Sequence, residues 1–220
     1  MSTADLSVTS AEFVPLPGLG GIRAAFIPRC PGLEVNTDRE TALQRLAPVH
    51  EEFLSRQGFQ RDSLATAEQV HGGDVAVARD ARLHPGVDAL ITNVPGLTLG
   101  IYVADCAAVY VADRHGRAIA LAHSGRAGTA ANITGQTIAL MCAEFGLDPA
   151  DLVVQLSPCI RPPLYETDFA ADIVSQARAA GAGEVIDDEI CTGREVGRYY
   201  SYRVERGRTG RMLAALALLP

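Results

Sequence analysis

The middle of this chain places six short β-rich segments within 59 residues, and this spacing constrains the fold more than any other feature. Turn signals separate the segments, among them Gly72-Gly73, Pro95-Gly96 and Gly116. That alternation predicts hairpins rather than βαβ units. The predicted strands cover residues 64–70, 75–78, 88–92, 97–103, 109–112 and 118–122.

Helical and strand segments flank this middle region. The pattern Thr37-x-x-Glu40 has the form of a capping box, and a helix from there is expected to end at Gly58 with a kink at Pro48. With two later helices and four further strands, the pattern predicts an α+β fold of mostly antiparallel or mixed sheets with helices on their outer faces. The later helices cover residues 129–145 and 168–180, and the further strands cover 22–27, 152–156, 185–186 and 199–204.

The length of the chain favours one domain. Its 220 residues contain no internal repeat and no linker-like tract, and a chain of this size buries roughly 70% of its unfolded surface. We therefore expect a single domain over residues 21–220. The polar and then Pro/Gly-rich residues 1–20 are expected to form a loosely ordered leader.

The chain contains 19 arginines and no lysine. The absence of lysine excludes a Schiff-base nucleophile, a pyridoxal-phosphate anchor and a Gly-Lys-Ser/Thr phosphate loop. Any bound anion must therefore be held by Arg side chains or backbone amides. The net charge of −7 argues against a nucleic-acid partner, which would call for a basic surface.

Neither a targeting segment nor a disulfide framework is evident. Residues 1–11 lack the basic and apolar regions of a signal peptide, and no later run is long and apolar enough to span a membrane. The five cysteines form no C-x-x-C pair. We therefore expect a cytoplasmic protein with no membrane partner, whose cysteines are thiols.

Three side chains that are good metal ligands follow predicted strands: His71, Cys106 and His123. Two imidazoles and a thiolate suit Zn²⁺, and three protein ligands leave one tetrahedral position open, as in catalytic zinc sites. The competing interpretation is two turn histidines and one core cysteine. Asp105 and Asp88 are candidates for proton transfer or for orienting a ligand imidazole.

The remaining histidines and cysteines are expected to lie outside the site. His50, His84 and His115 are expected to face solvent. Cys159 follows a proline in a turn and is a weaker candidate for lining the site. Cys30, Cys142 and Cys191 are expected to be core or near-surface thiols.

Six sequence blocks between residues 64 and 211 occur in the order found in the YfiH/YlmD family, which this chain resembles. That family is also called the laccase-domain or peptidoglycan editing factor family. The blocks are Gln69-Val70-His71-Gly72; Val87-Asp88-Ala89-Leu90-Ile91-Thr92 with Pro95-Gly96; Ala104-Asp105-Cys106; Ala122-His123-Ser124-Gly125; Ser157-Pro158-Cys159-Ile160 with Tyr165-Glu166; and Tyr200-Ser201-Tyr202-Arg203 with Thr209-Gly210-Arg211.

The resemblance implies a zinc ion held by His71, Cys106 and His123. It also implies phosphorolysis of adenosine, inosine, guanosine or methylthioadenosine to the base and ribose 1-phosphate, together with adenosine deamination. For this activity Cys106, His123 and Asp105 are the candidate catalytic residues. If residues 104–106 are extended, Asp105 points away from the face that Cys106 uses, so a structural role for Asp105 stays open. The implied fold is a four-layer α/β/β/α sandwich, similar to that of a group of cysteine hydrolases.

Phosphorolysis requires a cationic site for phosphate, and three arginines are candidates for it. Arg126, in its glycine-rich loop, is the first, followed by Arg203 and Arg211. A surface salt bridge is the competing interpretation for each. The loop departs from the family's His-x-Gly-Trp-Arg-Gly pattern, because His123-Ser124-Gly125-Arg126-Ala127-Gly128 lacks the aromatic residue and shifts the arginine by one position.

Three other functions compete with this one. A copper polyphenol oxidase needs many imidazoles, and only five histidines are present, so copper is expected only as a substitute for zinc. A metal-free thiol hydrolase would use Cys106 as nucleophile with His123 or His71 as base. A peptidoglycan-precursor editing factor would act on a muropeptide, and the altered loop keeps that alternative open.

Overall fold

Two mixed β-sheets lie face to face in the computed structural model, which describes residues 13–220. The strands are β1 (Ile22–Ile27), β2 (Leu64–Ala67), β3 (Val75–Val77), β4 (Leu83–His84), β5 (Ala89–Thr92), β6 (Thr98–Val103), β7 (Ala107–Asp113), β8 (Ile119–Ser124), β9 (Leu152–Leu156), β10 (Glu184–Ile186) and β11 (Met212–Leu218). The helices are α1 (Arg39–Arg56), α2 (Arg126–Ala130), α3 (Ile133–Phe145) and α4 (Phe169–Ala179), with a 3₁₀ turn at Pro149–Asp151.

The first sheet has the strand order β1-β11-β6-β2-β4, and the second has the order β10-β9-β7-β8-β5-β3. In the first sheet, β11 pairs antiparallel with both β1 and β6, whereas β2 is parallel to β6 and β4. In the second, β7, β8, β9 and β5 pair antiparallel, and the edge strands β10 and β3 are parallel to their neighbours. The predicted mixed sheets are confirmed.

The two faces of the second sheet pack against different layers. In β7, Tyr110 belongs to the core shared with the first sheet, whereas its neighbours Val109 and Val111 pack with α3 and α4. This division follows from the alternation of side chains along a strand. Since α1 contacts the first sheet at β1, the order of layers is helix, sheet, sheet, helix, and the predicted α+β sandwich is confirmed.

The hairpin prediction is correct at one place and wrong at two. β7 and β8 form an antiparallel hairpin, as predicted. However, β2 and β3 belong to different sheets, and so do β5 and β6. The turns at Gly72-Gly73 and Pro95-Gly96 therefore carry the chain from one sheet to the other. The alternation of apolar and polar residues specifies which side chains of a strand share a face, but not which sheet the strand joins.

The predicted strand over residues 199–204 is wrong, since this segment consists of turns. The Asp105 carboxylate accepts hydrogen bonds from Ser201 Oγ at 3.1 Å and from the Arg203 backbone N–H at 2.6 Å, which bend the segment inward. The short edge strand β4 was not predicted, and neither was β11, which lies between β1 and β6. Its Leu/Ala composition lacks the β-branched residues that favour strands.

The helix ends differ from the predictions in two places. Asp38, not Thr37, caps α1, since its side chain accepts a hydrogen bond from the Thr41 backbone N–H at 2.9 Å. The helix predicted over residues 129–145 is divided into α2 and α3 at Asn132, whose φ of 57° is incompatible with a continuous α-helix. Pro48 lies within α1, and Asp168 caps α4 as the acidic start of that segment predicted.

The predicted leader lies partly outside the described residues, and its end packs on the domain. The Phe13 ring lies 5.3 Å from that of Phe26, and Leu16 is buried in the core. Gln155 of β9 accepts a hydrogen bond from the Leu16 backbone N–H. The division into a leader and one domain stays a prediction. None of the helices within residues 13–220 has the length and hydropathy needed to cross a membrane.

Candidate metal centre and cavity

His71, Cys106 and His123 come together where the chain passes from β6 to β7. Their nitrogen and sulfur atoms all lie within 4.8 Å of one another. His123 lies in β8, Cys106 immediately precedes β7, and His71 lies in the turn after β2. Within residues 13–220 this is the one group of three or more His, Cys, Asp or Glu side chains able to share a metal ion.

The buried carboxylate of Asp88 organises both histidines. Its oxygens accept hydrogen bonds from the backbone N–H groups of His71 at 2.9 Å and Gly72 at 2.7 Å, and from that of Val70 at 3.1 Å. Its Oδ1 also lies 2.8 Å from Nδ1 of His123. A proton on Nδ1 that is donated to Asp88 leaves Nε2 of His123 free to bind a metal.

The backbone around the three ligands packs closely against the Cys106 thiol and has unusual conformations at two residues. A Cβ atom on Gly125 would collide with Sγ of Cys106. Residue 125 must therefore be glycine if the thiol is to lie where it does. His71 and Asp105 adopt left-handed backbone conformations, with φ of 63° and 78°. Such conformations are uncommon for residues with side chains and cluster at functional sites.

Charge coupling within the group favours a thiolate beside a protonated imidazole. Burial alone would raise the pKa of the Cys106 thiol, but hydrogen bonds and charges from His123 and His71 outweigh it and lower that pKa. Burial alone would lower the pKa of His123, but Asp88 and Cys106 outweigh it and raise that pKa. The thiolate is the form of cysteine that binds metals and acts as a nucleophile.

The chemistry of these donors fits a borderline-soft divalent metal. In a tetrahedral site with bonds of about 2.0–2.3 Å, neighbouring ligand atoms are roughly 3.3–3.8 Å apart. The observed limit of 4.8 Å exceeds the upper end of that range by about 1 Å. Since the three protein ligands do not complete a tetrahedron, the arrangement is that of an open site rather than a closed structural one.

The three ligands open into a cavity of about 940 Å³ that combines aromatic and cationic walls. This volume lies in the range of small-molecule sites, roughly 300–1,000 Å³. The aromatic residues in the lining are Tyr102, Tyr165, Phe169 and Tyr202, and the arginines are Arg39, Arg126, Arg203, Arg206 and Arg211.

The three arginines proposed from the sequence all line this cavity, in different settings. Arg126 is exposed at the start of α2. Arg203 is paired with Glu166, at 2.6 and 2.8 Å from its two carboxylate oxygens, and lies 4.9 Å above the ring of Tyr165. Arg211 is buried.

Asp105 lines the cavity, but its carboxylate faces the segment 192–203. Its oxygens accept hydrogen bonds from Thr192 Oγ1 at 2.7 Å, from Ser201 Oγ at 3.1 Å and from the Arg203 backbone N–H at 2.6 Å. Asp105 thus anchors one wall of the cavity, whereas Asp88 contacts the histidines. A catalytic role for Asp105 stays a prediction.

Two of the three histidines expected in solvent are buried, which corrects the prediction. His50 stacks on Tyr102 at a centroid distance of 5.9 Å, and His84 lies at the short strand β4. His115 is exposed as predicted. Cys159 is fully buried and forms a β-bridge with Cys191, and the cavity is lined instead by its neighbour Ile160.

Sequence reasoning missed several residues of the cavity: Arg39, Arg206, Tyr102 and Phe169. Arg39 follows Asn36-Thr37-Asp38 at the start of α1, outside the six sequence blocks that carry the family resemblance. Tyr102 precedes the Ala104-Asp105-Cys106 block on β6, and that proximity was the available signal. For Arg206 and Phe169 the sequence contains no comparable signal.

Comparisons with known proteins agree with this architecture. Residues 31–182 and 167–219 match the family model described as multi-copper polyphenol oxidoreductase laccase. A relative from Deinococcus radiodurans named purine nucleoside phosphorylase is 30% identical, over 99% of this chain and 95% of its own length. Purine nucleoside phosphorylase YlmD of Geobacillus stearothermophilus is 31% identical, over 83% of this chain and 81% of its own.

Solved structures show the same fold. The crystal structure of YlmD from G. stearothermophilus has a TM-score of 0.80 and 26% identity, covering 93% of this chain and 94% of its own. That of Bacillus licheniformis YfiH has a TM-score of 0.79 over 90% and 92% of the two chains, and at 21% identity it supports the fold alone. On the extent of these matches, the chain belongs to the YfiH/YlmD family of laccase-domain proteins.

Proposed function

We propose that this chain is a zinc-dependent purine nucleoside phosphorylase that also deaminates adenosine. The observation that carries the proposal is the opening of the His71, Cys106 and His123 group into a cavity with both aromatic and arginine walls. A nucleoside presents a flat base and a polar sugar, and phosphate presents a compact anion. The names of relatives that align with most of this chain support the phosphorolysis in this proposal.

The aromatic residues are suited to hold the base. Tyr165 and Phe169 pack edge to face, with centroids 5.6 Å apart, which fixes both rings. Tyr102 is backed by the buried ring of His50. Rings held in this way can stack on a purine without the entropy cost of ordering a mobile side chain.

The arginines are suited to hold phosphate against C1′ of the ribose, where positive charge develops as the glycosidic bond breaks. Guanidinium groups make paired hydrogen bonds to phosphate oxygens, and the chain has no lysine that could do so. The phosphate oxygen then forms the new bond to C1′ while the base leaves with the electron pair of the old one. A proton supplied to the base completes the step.

His71, Cys106 and His123 would hold the zinc ion, with Asp88 fixing the orientation of His123. When bound, zinc supplies a Lewis acid and lowers the pKa of a nearby water molecule, which is the chemistry that deamination at C6 of adenine requires. The exposed edge of His71 and the partly buried Cys106 leave the substrate side of the group open to the cavity.

The copper oxidase implied by the description of the family model has little support in this ligand set. A multicopper centre needs many imidazoles. Of the five histidines, His50 and His84 are buried elsewhere, and His115 lies in the β7–β8 turn. We therefore assign copper the role of a substitute at the zinc site.

The proposal is tested by incubating the zinc-loaded protein with adenosine, inosine, guanosine or methylthioadenosine, with and without phosphate, and identifying the products by mass spectrometry. We expect phosphate-dependent release of free base from at least one nucleoside, and inosine from adenosine. Cys106→Ala should abolish turnover. Cys142→Ala, which changes a thiol on α3 outside the cavity, is the matched control and should retain it. No turnover of any nucleoside would refute the assignment.

A metal-free thiol hydrolase is the second candidate, and one observation favours it. Nδ1 of His123 lies 2.8 Å from the Asp88 carboxylate, and Cys106 lies within 4.8 Å of His123, an arrangement like that of cysteine hydrolases in which the base is oriented by a carboxylate. Activity that survives a chelator but is lost on alkylation by iodoacetamide would support this candidate. Activity that the chelator abolishes and zinc restores would exclude it.

We further propose a cytoplasmic location and small-molecule partners only. The five cysteines are free thiols, which suits a reducing compartment. The net charge of −7 gives no support to nucleic-acid binding. Cell fractionation with an antibody to the chain would test the location, and recovery in the membrane or secreted fraction would contradict it.

A further inference from the structure

Arg211 is the most buried arginine of the cavity, and its guanidinium has an open side. The residue is 8% exposed, and Nη1 donates hydrogen bonds to the carbonyl oxygens of Thr209 and Gly210, both at 2.9 Å. No carboxylate of residues 13–220 forms an ion pair with it. A buried cation without a counter-ion is unfavourable, so this position favours binding of an anion.

Arg39, at the first turn of α1, faces the same cavity. Its Nη2 donates to the Glu68 carbonyl oxygen at 3.4 Å, and it too lacks an ion pair within the described residues. Both side chains line the same cavity, and burial together with the charge of Arg39 lowers the pKa of Arg211.

The carboxylates that line the cavity are engaged elsewhere. Asp38 accepts hydrogen bonds from Thr37 and Thr41 at the start of α1. Asp105 accepts three hydrogen bonds from the segment 192–203. Neither carboxylate lies in an ion pair with Arg211 or Arg39, although the charge of Asp105 acts on Arg211 at longer range.

Arg203 differs from this pair in its charge balance. Glu166 makes two contacts with its guanidinium, at 2.6 and 2.8 Å, and both side chains are exposed. An arginine that is already paired with a carboxylate binds a second anion less favourably, because its charge is largely balanced. From the sequence Arg126 was the first candidate, with Arg203 and Arg211 behind it; the charge balance now places Arg211 ahead of Arg203.

The geometry points to an anion site between Arg211 and Arg39 that takes a dianionic phosphoryl group. In identifying that group as the co-substrate, the inference rests on the proposed phosphorolysis. Two guanidinium groups suit such a dianion because each can pair with two of its oxygens. The same chemistry would accept free phosphate or the 5′-phosphate of a nucleotide.

Binding of inorganic phosphate to the zinc-loaded protein, measured by titration calorimetry at constant ionic strength without nucleoside, tests the inference. Wild type should bind phosphate saturably. Arg211→Gln and Arg39→Gln should each weaken binding by about tenfold or more, the loss expected for one charge-assisted hydrogen-bonding group. Arg178→Gln, on the exposed face of α4, is the matched control and should bind as wild type does.

Arg39→Gln changes an exposed side chain, so it decides the question even if Arg211→Gln does not fold. Equal phosphate affinity in wild type and Arg39→Gln, or no saturable binding by wild type, would overturn the inference. A parallel titration with adenosine 5′-monophosphate and adenosine identifies the source of the phosphoryl group. Phosphate binding that depends on both arginines, in a protein that turns over no nucleoside, would refute the proposed function and leave the anion site standing.

Discussion

Asp88 links the two histidines of the candidate metal centre through one carboxylate. It accepts three backbone hydrogen bonds from residues 70–72 and contacts Nδ1 of His123. The sequence predicted the three ligands because each follows a β-rich segment, and it included Asp88 as a candidate for orientation. It did not predict that Asp88 also shapes the His71 turn, because that depends on how the turn wraps around the carboxylate.

Asp88→Asn should weaken zinc binding about 10- to 100-fold, because loss of a group that orients a ligand histidine has effects of that size. Competition with a chromogenic chelator measures the change. Asp74→Asn, on an exposed aspartate of the same turn, is the control and should bind zinc as wild type does. An unchanged affinity in Asp88→Asn would show that the carboxylate does not support the metal site.

Gly125→Ala should also disrupt the metal site. Its Cβ would collide with Cys106 Sγ, and overpacking of this kind costs about 1–3 kcal/mol. We expect zinc affinity to fall roughly tenfold or more, by the same chelator competition. Gly197→Ala is the control, because a Cβ there meets no atom within 4 Å. Equal zinc affinity in both variants would contradict the close packing of Gly125 on the thiol.

At the level of elements, local sequence predicts structure best where propensity and burial agree. The strands β5 to β9 and the helix α4 match their predicted segments to within about three residues at each end. The failures have tertiary causes. β11 forms from a Leu/Ala segment because it is buried between β1 and β6, and the Tyr-rich residues 199–204 turn inward because Asp105 binds them. Neither cause is visible in local composition.

His50 of α1, which stacks on Tyr102 of β6, should make stability depend on pH. Its ring nitrogens lack hydrogen-bond partners among the described residues, and burial lowers its pKa from 6.5 to about 4. Between these values the unfolded state binds more protons than the folded state, so stability falls as the pH falls. Between about pH 7 and about pH 4.5, this imidazole should lower the free energy of unfolding by about 2–3 kcal/mol.

His50→Leu removes the titrating group while keeping an apolar side chain at that position. Urea unfolding at both pH values should show a smaller loss of stability in His50→Leu than in wild type. His84, whose pKa burial also lowers, is present in both proteins and cancels in the comparison. Equal losses in the two proteins would contradict the account of His50.

For the whole molecule, the position of the site follows from how the chain crosses between the sheets. The ligands come from the turn after β2, from the crossing between β6 and β7, and from β8. The sequence indicated an α+β sandwich but assigned two of the crossings, from β2 to β3 and from β5 to β6, to hairpins. Which sheet receives each strand depends on long-range packing of the two faces, as in the contact of Tyr110 with β1.

Tyr110→Phe tests that contact between the sheets. The Tyr110 hydroxyl donates to the Ala25 carbonyl oxygen at 2.7 Å in a fully buried setting. Its removal leaves that oxygen without the bond and should lower the free energy of unfolding by about 1–2 kcal/mol. Tyr202→Phe, at an exposed tyrosine, is the control and should be nearly neutral in chemical denaturation. A neutral Tyr110→Phe would contradict the role of this bond.

The proposed function depends most on a single mononuclear metal site made by His71, Cys106 and His123. Elemental analysis of protein purified without added metal tests it directly, with Cys106→Ala and Cys142→Ala measured in parallel. We predict close to one zinc per chain in wild type and Cys142→Ala, and little or none in Cys106→Ala. Three or more coppers per chain, or zinc that remains in Cys106→Ala, would contradict the account.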